Sequence, residues 1–191
     1  MRKALLILDI QNDYMSDQAR LPIAKQQMES TIKSINNLIQ KAKEQEAPIV
    51  YIRNEFKRTQ ISNLFRKFTA IKGTKGAEFD KRLVMVEGKY FSKNKADAFS
   101  NPDLATFLSQ QNINELIVTG VFVEGCVSAT VYGALTRNFK VIVVNDAVGG
   151  ASDKSKAAAL MKLAKKEVLI CTSHQILEGE EIENGTFTAF N

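Results

Sequence analysis

The chain has 191 residues, 45% of them apolar, and carries 26 Lys plus Arg against 21 Asp plus Glu, a net charge of +5. This composition fits one ordinary globular domain over residues 1–191 and excludes collagen-like, disordered and disulfide-knot classes. A chain of this size can bury roughly 70% of the surface exposed when unfolded, so its core needs neither disulfides nor a structural metal.

In chain order, Met1-Arg2-Lys3 followed by Ala4 to Leu8 mimics an export signal only until Asp9 interrupts it. An export signal needs about 7 to 15 apolar residues, so none is read here. Ala4 to Leu8 is instead the first strand. Met28, Ile32, Ile35, Ile39 and Ala42 step by fours and threes and predict one buried face of a long helix. Ile49 to Ile52 is a second strand. Asn54 to Lys81 is an irregular connection with Phe56, Phe65 and Phe68 among basic residues, then Gly73-Thr74-Lys75-Gly76. Long connections of this kind serve as lids or oligomer contacts, and the aromatic residues predict a homo-oligomer, a dimer or larger.

Leu83 to Val86 reads as a weaker strand, with Lys89 to Lys93 as the loop after it. Asn101-Pro102-Asp103 combines a cap, a first-turn Pro and an acid at the positive end of a helix, with Leu104, Phe107 and Leu108 facing inward. Leu116 to Val121 is a strand that runs through Gly120 to Cys126 into an apolar helix carrying Val127, Ala129, Val131 and Ala134. Val141 to Val144 is a further strand, Ala157 to Lys166 an alanine-rich helix, and Val168 to Cys171 a weak last strand.

Strands alternating with helices imply right-handed βαβ units. The predicted fold is therefore α/β, a three-layer α/β/α sandwich around a mainly parallel six-stranded sheet of Rossmann-like type. No apolar run reaches the ~20 residues of a membrane span. Cys126 and Cys171, far apart in apolar stretches, fit a reducing, cytoplasmic setting. The basic residues are interspersed with acidic ones and lack an aromatic platform, so neither nucleic acid nor membrane is expected as a partner.

Open α/β sheets bind ligands beyond the carboxyl ends of their strands. Cys126 follows a strand and begins a helix, where unpaired N–H groups favour a thiolate; it is a candidate nucleophile, against the alternative of a space-filling cysteine such as Cys171. Gly120 to Gly125 has the first spacing of a P-loop but lacks the Lys-Ser/Thr pair, and no G-x-G-x-x-G follows any strand. Arg137 lies too far beyond Cys126 for a phosphatase loop. A flavodoxin-like binder of a phosphorylated ligand stays as a rival reading. A cysteine hydrolase needs a base, and two residues qualify: His174, the sole histidine, and Asp9, at the mouth of the first strand. In a sheet ordered 3-2-1-4-5-6 that strand neighbours the one before Cys126.

Three segments carry a resemblance. Leu6-Ile7-Leu8-Asp9-Ile10-Gln11-Asn12-Asp13-Tyr14 resembles the strand and D-x-Q-x-D-F opening of the isochorismatase-like cysteine hydrolases. Lys93-Asn94-Lys95-Ala96-Asp97-Ala98-Phe99 is similar to their K-x-x-x-x-A-F segment, and Gly120-Val121-Phe122-Val123-Glu124-Gly125-Cys126-Val127 to their G-V-x-T-x-x-C-V loop. Gly73 to Glu78 and Asn145-Asp146-Ala147 fit in order and spacing, so the resemblance spans nearly the whole chain.

The resemblance implies a triad of Asp9, Lys93 and Cys126, with Asp9 moving the proton and the Lys93 cation lowering the thiolate pKa and holding Asp9. It also implies a cis peptide at Val121–Phe122 and an oxyanion hole from the N–H groups of Phe122 and Cys126. Gln11, Tyr14, Asn54, Phe99 and Phe122 are candidate substrate contacts. Two departures matter: Val123 stands where the family has Thr, and Tyr51-Ile52-Arg53-Asn54-Glu55 replaces the D-x-H metal site of the nicotinamidase branch. No metal and no cofactor are expected. The reading is a metal-free cysteine hydrolase cleaving the C–N bond of a small carboxamide or ureido substrate through an acyl-enzyme. Its rival is a family-fold oligomeric binding or scaffold protein with little activity, favoured by Val123.

Overall fold

The computed structural model describes residues 2–180. Six strands, β1 (Lys3–Leu8), β2 (Ile49–Asn54), β3 (Lys89–Lys93), β4 (Glu115–Val121), β5 (Lys140–Gly149) and β6 (Leu169–Cys171), form one sheet in the order β3-β2-β1-β4-β5-β6. Every pairing is parallel. The order reverses between β1 and β4, as expected.

Successive residues of each central strand supply opposite layers, both dry, which is why these strands show no polar alternation. Leu6, Leu8, Val50, Ile52, Leu116 and Val118 pack on one face with Leu104 and Leu108 of α3 (Pro102–Gln110) and Val131 of α4 (Ser128–Leu135). Leu160 and Leu163 of α5 (Asp153–Ala164) complete that layer. On the other face Leu5, Ile7, Ile49 and Tyr51 meet the predicted stripe of α2 (Lys25–Glu44), in which Met28, Ile32, Ile35, Ile39 and Ala42 are all buried. Each of the larger residues contributes about 1.5–3 kcal/mol by leaving water. The predicted cap of α3 is present, with Asn101 accepting from the Asp103 N–H. Phe107, predicted to face inward, is only partly buried.

One predicted strand is displaced. Leu83–Val86 forms no ladder; instead the Tyr51 hydroxyl accepts from the Val86 N–H and donates to the Val84 carbonyl, so a side chain satisfies this stretch. The edge strand is Lys89–Lys93, expected to be a loop. An edge strand has one open side, and its lysine ends and half-exposed Tyr90 and Phe91 do not make the apolar run that marks a buried strand.

Two short helices finish the fold, α1 (Asn12–Met15) after β1 and α6 (Ser173–Glu178) after β6. Among the described residues, no helix is long and apolar enough to cross a membrane.

Candidate active site

Four neighbouring strands each deliver one side chain at their carboxyl ends: Lys93 from β3, Asn54 from β2, Asp9 just past β1 and Cys126 past β4. Asp9 adopts φ 59°, a left-handed conformation that Asp tolerates better than bulky or branched residues, and its N–H bonds the Ile52 carbonyl. Gly120 is required next to it: it has φ 119°, and a Cβ there would lie 2.0 Å from the Leu8 carbonyl oxygen. Only glycine lets β4 approach β1 closely enough to set Cys126 beside Asp9.

The Lys93 ammonium has no solvent exposure, and all its donors are engaged, to Asp9 Oδ2 at 2.8 Å, Asn54 Oδ1 at 2.7 Å and the Lys95 carbonyl at 3.3 Å. Because Asn54 Oδ1 accepts from Lys93, its Nδ2 is turned toward Cys126 Sγ, 3.6 Å away. Asn54 is itself fixed by Gln11, whose Oε1 accepts from the Asn54 N–H and whose Nε2 donates to the carbonyls of Asn54 and Ala77. Gln11 is fully buried and outside the cavity; it positions Asn54 from behind.

Asp9 Oδ1 is buried and has no hydrogen-bond partner among the described residues. Leaving a buried carboxylate oxygen unsatisfied costs about 1–3 kcal/mol or more, and this oxygen belongs to a residue that lines a cavity above the cluster.

The charges differ from the sequence expectation in one respect. Burial first, and Asp9 second, push the Cys126 thiol up from its ordinary 9.0 to about 11, with Lys93 and Asn54 only partly opposing them. Position at a helix start does not decide this thiol; its own burial does, reinforced by the carboxylate beside it. Burial works against the Lys93 charge, but Asp9 and the Cys126 sulfur outweigh it and hold the ammonium above its ordinary range. Burial, then Asp9, also raises the Tyr14 phenol, which is a neutral donor.

A cavity of about 270 Å³ opens above this cluster, with Asp9, Asn54 and Cys126 meeting Tyr14, Phe56 and Phe122. Tyr14 and Phe122 pack edge to face at 5.6 Å. Phe99 does not reach the cavity; its ring is buried, stacked on Phe139 with the Arg137 guanidinium against it. His174 is exposed on α6 and also lies elsewhere. Depressions of about 320 and 560 Å³ at the amino ends of the strands are lined by no cysteine, serine or histidine.

The cysteine loop is a wide turn over Val123–Val127 in which Gly125 leaves helical geometry, and the Val121–Phe122 peptide is cis. The Phe122 carbonyl accepts from the N–H groups of Gly125 and Val127, and the Ser128 hydroxyl donates to the Val123 carbonyl. Ser128 thus supplies a hydroxyl to the loop in which Val123 lacks one. At the end of β2, Arg53 pairs with Glu55 at 2.6 Å and lies over the Tyr90 ring. Among the described residues, no group of three or more His, Cys, Asp or Glu side chains is placed to hold a metal ion.

Sequence reasoning missed Arg66, Thr69 and Glu124, which also line the cavity. Two of the three come from the irregular connection, where no periodicity signals which residues turn inward. That segment is pinned by Asp13, whose Oδ2 accepts from the Ala70 N–H; the carboxylate fills the space where a Cβ on Gly76 would sit 2.1 Å from it.

Residues 3–175 match the isochorismatase domain family. The chain is 29% identical to the isochorismatase family protein YaaI of Bacillus subtilis (strain 168), covering 92% of this chain and 97% of that one. It is 27% identical to an N-carbamoylsarcosine amidase from Arthrobacter sp., over 78% of this chain and 60% of the amidase. An isochorismatase-like hydrolase from Alkaliphilus metalliredigens superposes with a TM-score of 0.87 at 23% identity, covering 94% of this chain and 99% of that one. The parallel sheet, its switch point and the matched residues agree, and this chain belongs to the isochorismatase family of hydrolases.

Proposed function

We propose that this protein is a metal-free cysteine hydrolase that cleaves the C–N bond of a small carboxamide or ureido substrate through a covalent acyl-enzyme, with Asp9, Lys93 and Cys126 as its triad. The observation that carries the reading is the buried cluster in which Lys93 bonds Asp9 at 2.8 Å while Asn54 faces Cys126 Sγ at 3.6 Å, with Asp9 Oδ1 left without a partner among the described residues. The nucleophile needs a base at the moment of attack, and Asp9 is the carboxylate of that cluster.

In the proposed sequence Asp9 takes the Sγ proton as the sulfur bonds the substrate carbonyl carbon. The oxyanion is received by the N–H groups of Phe122 and Cys126. The C–N bond breaks as Asp9 returns the proton to the departing nitrogen, leaving a thioester on Cys126. Water, losing its proton to Asp9, then releases the acid and the thiol. Lys93 stays charged, holding the carboxylate in line and offsetting negative charge. The amide-cleaving activity named for the Arthrobacter relative supports this substrate class. Tyr14, Asn54 and Phe122 are the proposed substrate contacts, whereas Gln11 and Phe99 lie outside the cavity, Gln11 acting through its hydrogen bonds to Asn54 and Phe99 through packing. The Arg53–Glu55 pair at the end of β2 supports a site that works without metal.

The scaffold reading rests on Val123, and the Ser128 bond to that loop weakens it. Two free cysteines support a reducing, cytoplasmic setting. Exposed Ile61, Leu64, Phe65 and Phe68 support contact with a second copy of the chain. Ammonia release from a panel of small amides and ureas, with intact mass after acid quench, tests the reading. Turnover with the acyl mass on Cys126 is expected; an inert enzyme across the panel contradicts it.

A further inference from the structure

Among the described residues, the cavity wall carries one cation that has no acidic partner. Lys93 is neutralised by Asp9 behind the cavity wall, and the other ionised wall residue, Glu124, is tied by its Oε1 to the Ala151 N–H at 2.7 Å, just before α5. Arg66 differs. Its guanidinium lies over the Phe56 ring, 4.1 Å from the centroid, and one nitrogen donates to the Ser62 hydroxyl at 3.2 Å. Among the described residues no carboxylate lies within ion-pair distance of it, whereas Arg53 and Arg82 both have acidic partners.

The loop around Arg66 is built to hold it there. The Phe56 N–H bonds the Ala70 carbonyl and the Lys72 N–H bonds the Phe56 carbonyl, closing the base of the loop. Asn63 Nδ2 donates to the carbonyls of Lys57 and Arg58, and the Thr69 hydroxyl donates to the carbonyl of Arg66 itself. The Phe56 ring and the Ser62 hydroxyl hold the guanidinium at the cavity wall, and its N–H groups other than the one given to Ser62 have no side-chain acceptor among the described residues. A planar fork in a mostly apolar cavity matches a carboxylate, which it can bind through two parallel hydrogen bonds.

We infer that Arg66 determines specificity by binding a carboxylate at the end of the substrate away from the scissile bond, so that the preferred substrates are short ω-amido or N-carbamoyl acids. This rests on the proposed hydrolase reading. It assigns Arg66 no part in bond making; the cavity of about 270 Å³ limits the substrate to a few heavy atoms between the carboxylate and the reacting carbonyl.

The test pairs each acid with its neutral counterpart, succinamic acid with succinamide and N-carbamoylglycine with its amide, in the parent, Arg66→Gln, Arg66→Lys and Arg58→Gln. A charged hydrogen-bonded contact contributes roughly 10- to 100-fold in binding. The parent should favour the acids, and Arg66→Gln should lower the acid-to-neutral ratio of kcat/KM by about that factor. Arg66→Lys should fall between, because it keeps charge and loses the fork, and Arg58→Gln, on the same loop outside the cavity, should hold the parental ratio. Equal losses on acids and neutral amides in Arg66→Gln, or a parental preference for neutral or cationic amides, overturn the inference.

A second arm needs no turnover. Succinate should slow iodoacetamide labelling of Cys126 in the parent, at matched ionic strength, and Arg66→Gln should need about 10 to 100 times more for the same protection. No protection in the parent, protection unchanged in Arg66→Gln, or stronger protection by inorganic phosphate contradicts carboxylate recognition. If every amide is inert yet succinate protects through Arg66, the hydrolase reading fails while the carboxylate site stands.

Discussion

The cluster at the strand ends and the loop over residues 57–69 border the same cavity and are made in opposite ways. Asp9, Asn54 and Lys93 sit on or just past adjoining parallel strands, are almost wholly buried and fix one another through short hydrogen bonds. The loop closes at a bridge between Phe56 and Ile71, is tied to the rest of the molecule by Asp13 at Ala70 and Arg20 at Phe68, and exposes Ile61, Leu64 and Phe65. A reacting group must be held within a fraction of an ångström, and sheet ends provide that. Substrate selection needs one or two side chains facing the cavity and tolerates variation elsewhere, which a loop provides. The division predicts that damage to the cluster disables chemistry, and at its buried ion pair the fold as well, whereas damage to the loop changes which substrates are accepted.

The largest effects should fall on the cluster. Cys126→Ala should reduce amide turnover to background with an unchanged melting curve, because the side chain is small and half-buried. Asp9→Asn keeps the shape and removes the base, so single-turnover rates should fall by about 10²- to 10⁴-fold. Parent-like turnover in either variant would break the comparison at its strongest point.

Next is stability. Lys93→Met leaves the Asp9 carboxylate buried without its cation, a loss of about 3–5 kcal/mol on denaturant unfolding. Phe65→Ser, at a side chain 89% exposed, should stay within about 0.5 kcal/mol of the parent when measured at a concentration where the subunit state matches. Similar losses for both would mean that the loop is as structural as the cluster.

The smallest effect is alkaline. Cys126 and Cys171 are both raised above their ordinary 9.0, to about 11 and about 12, mainly by burial. The unfolded chain therefore loses these protons first, so their contribution to stability is complete below pH 9 and fades as pH rises through the folded values. Melting temperature should fall over that window, and Cys171→Val should flatten the fall. A fall of the same steepness in Cys171→Val would contradict a raised buried thiol on β6.

Much of the fold was legible because it is written in periodicity. The apolar runs at Ala4, Ile49, Leu116 and Val141 and the stripe of α2 can bury their side chains in few other ways. The edge strand was not legible: Lys89–Lys93 lacks an apolar run, and Leu83–Val86 has one whose backbone Tyr51 satisfies through its hydroxyl. In the site, strand-end position brings Asp9, Asn54 and Cys126 into one place, and the register of Ala98 and Phe99 singles out Lys93, which lies in the same cluster. Position could not distinguish a residue facing the cavity from one supporting it from behind, so Gln11 and Phe99 were grouped with the contacts. Nor could it show Arg66, whose placement depends on Phe56 and a non-repeating loop. The direction of the Cys126 shift was also hidden, because it depends first on how deeply the thiol is buried and then on Asp9 beside it.

The central claim, that Asp9 is the base for Cys126 and Lys93 its electrostatic counterweight, is tested most directly by the pH dependence of Cys126 alkylation with turnover measured alongside. Removing the Asp9 charge removes a cause of the raised thiol, so Asp9→Asn should alkylate faster than the parent near neutral pH, with its midpoint below about 11, while its turnover collapses. Lys93→Met should move the midpoint up, and Lys95→Met, which contributes only a backbone carbonyl, should leave it in place. Alkylation in Asp9→Asn that keeps the parental midpoint, or slows in step with turnover, would contradict the account.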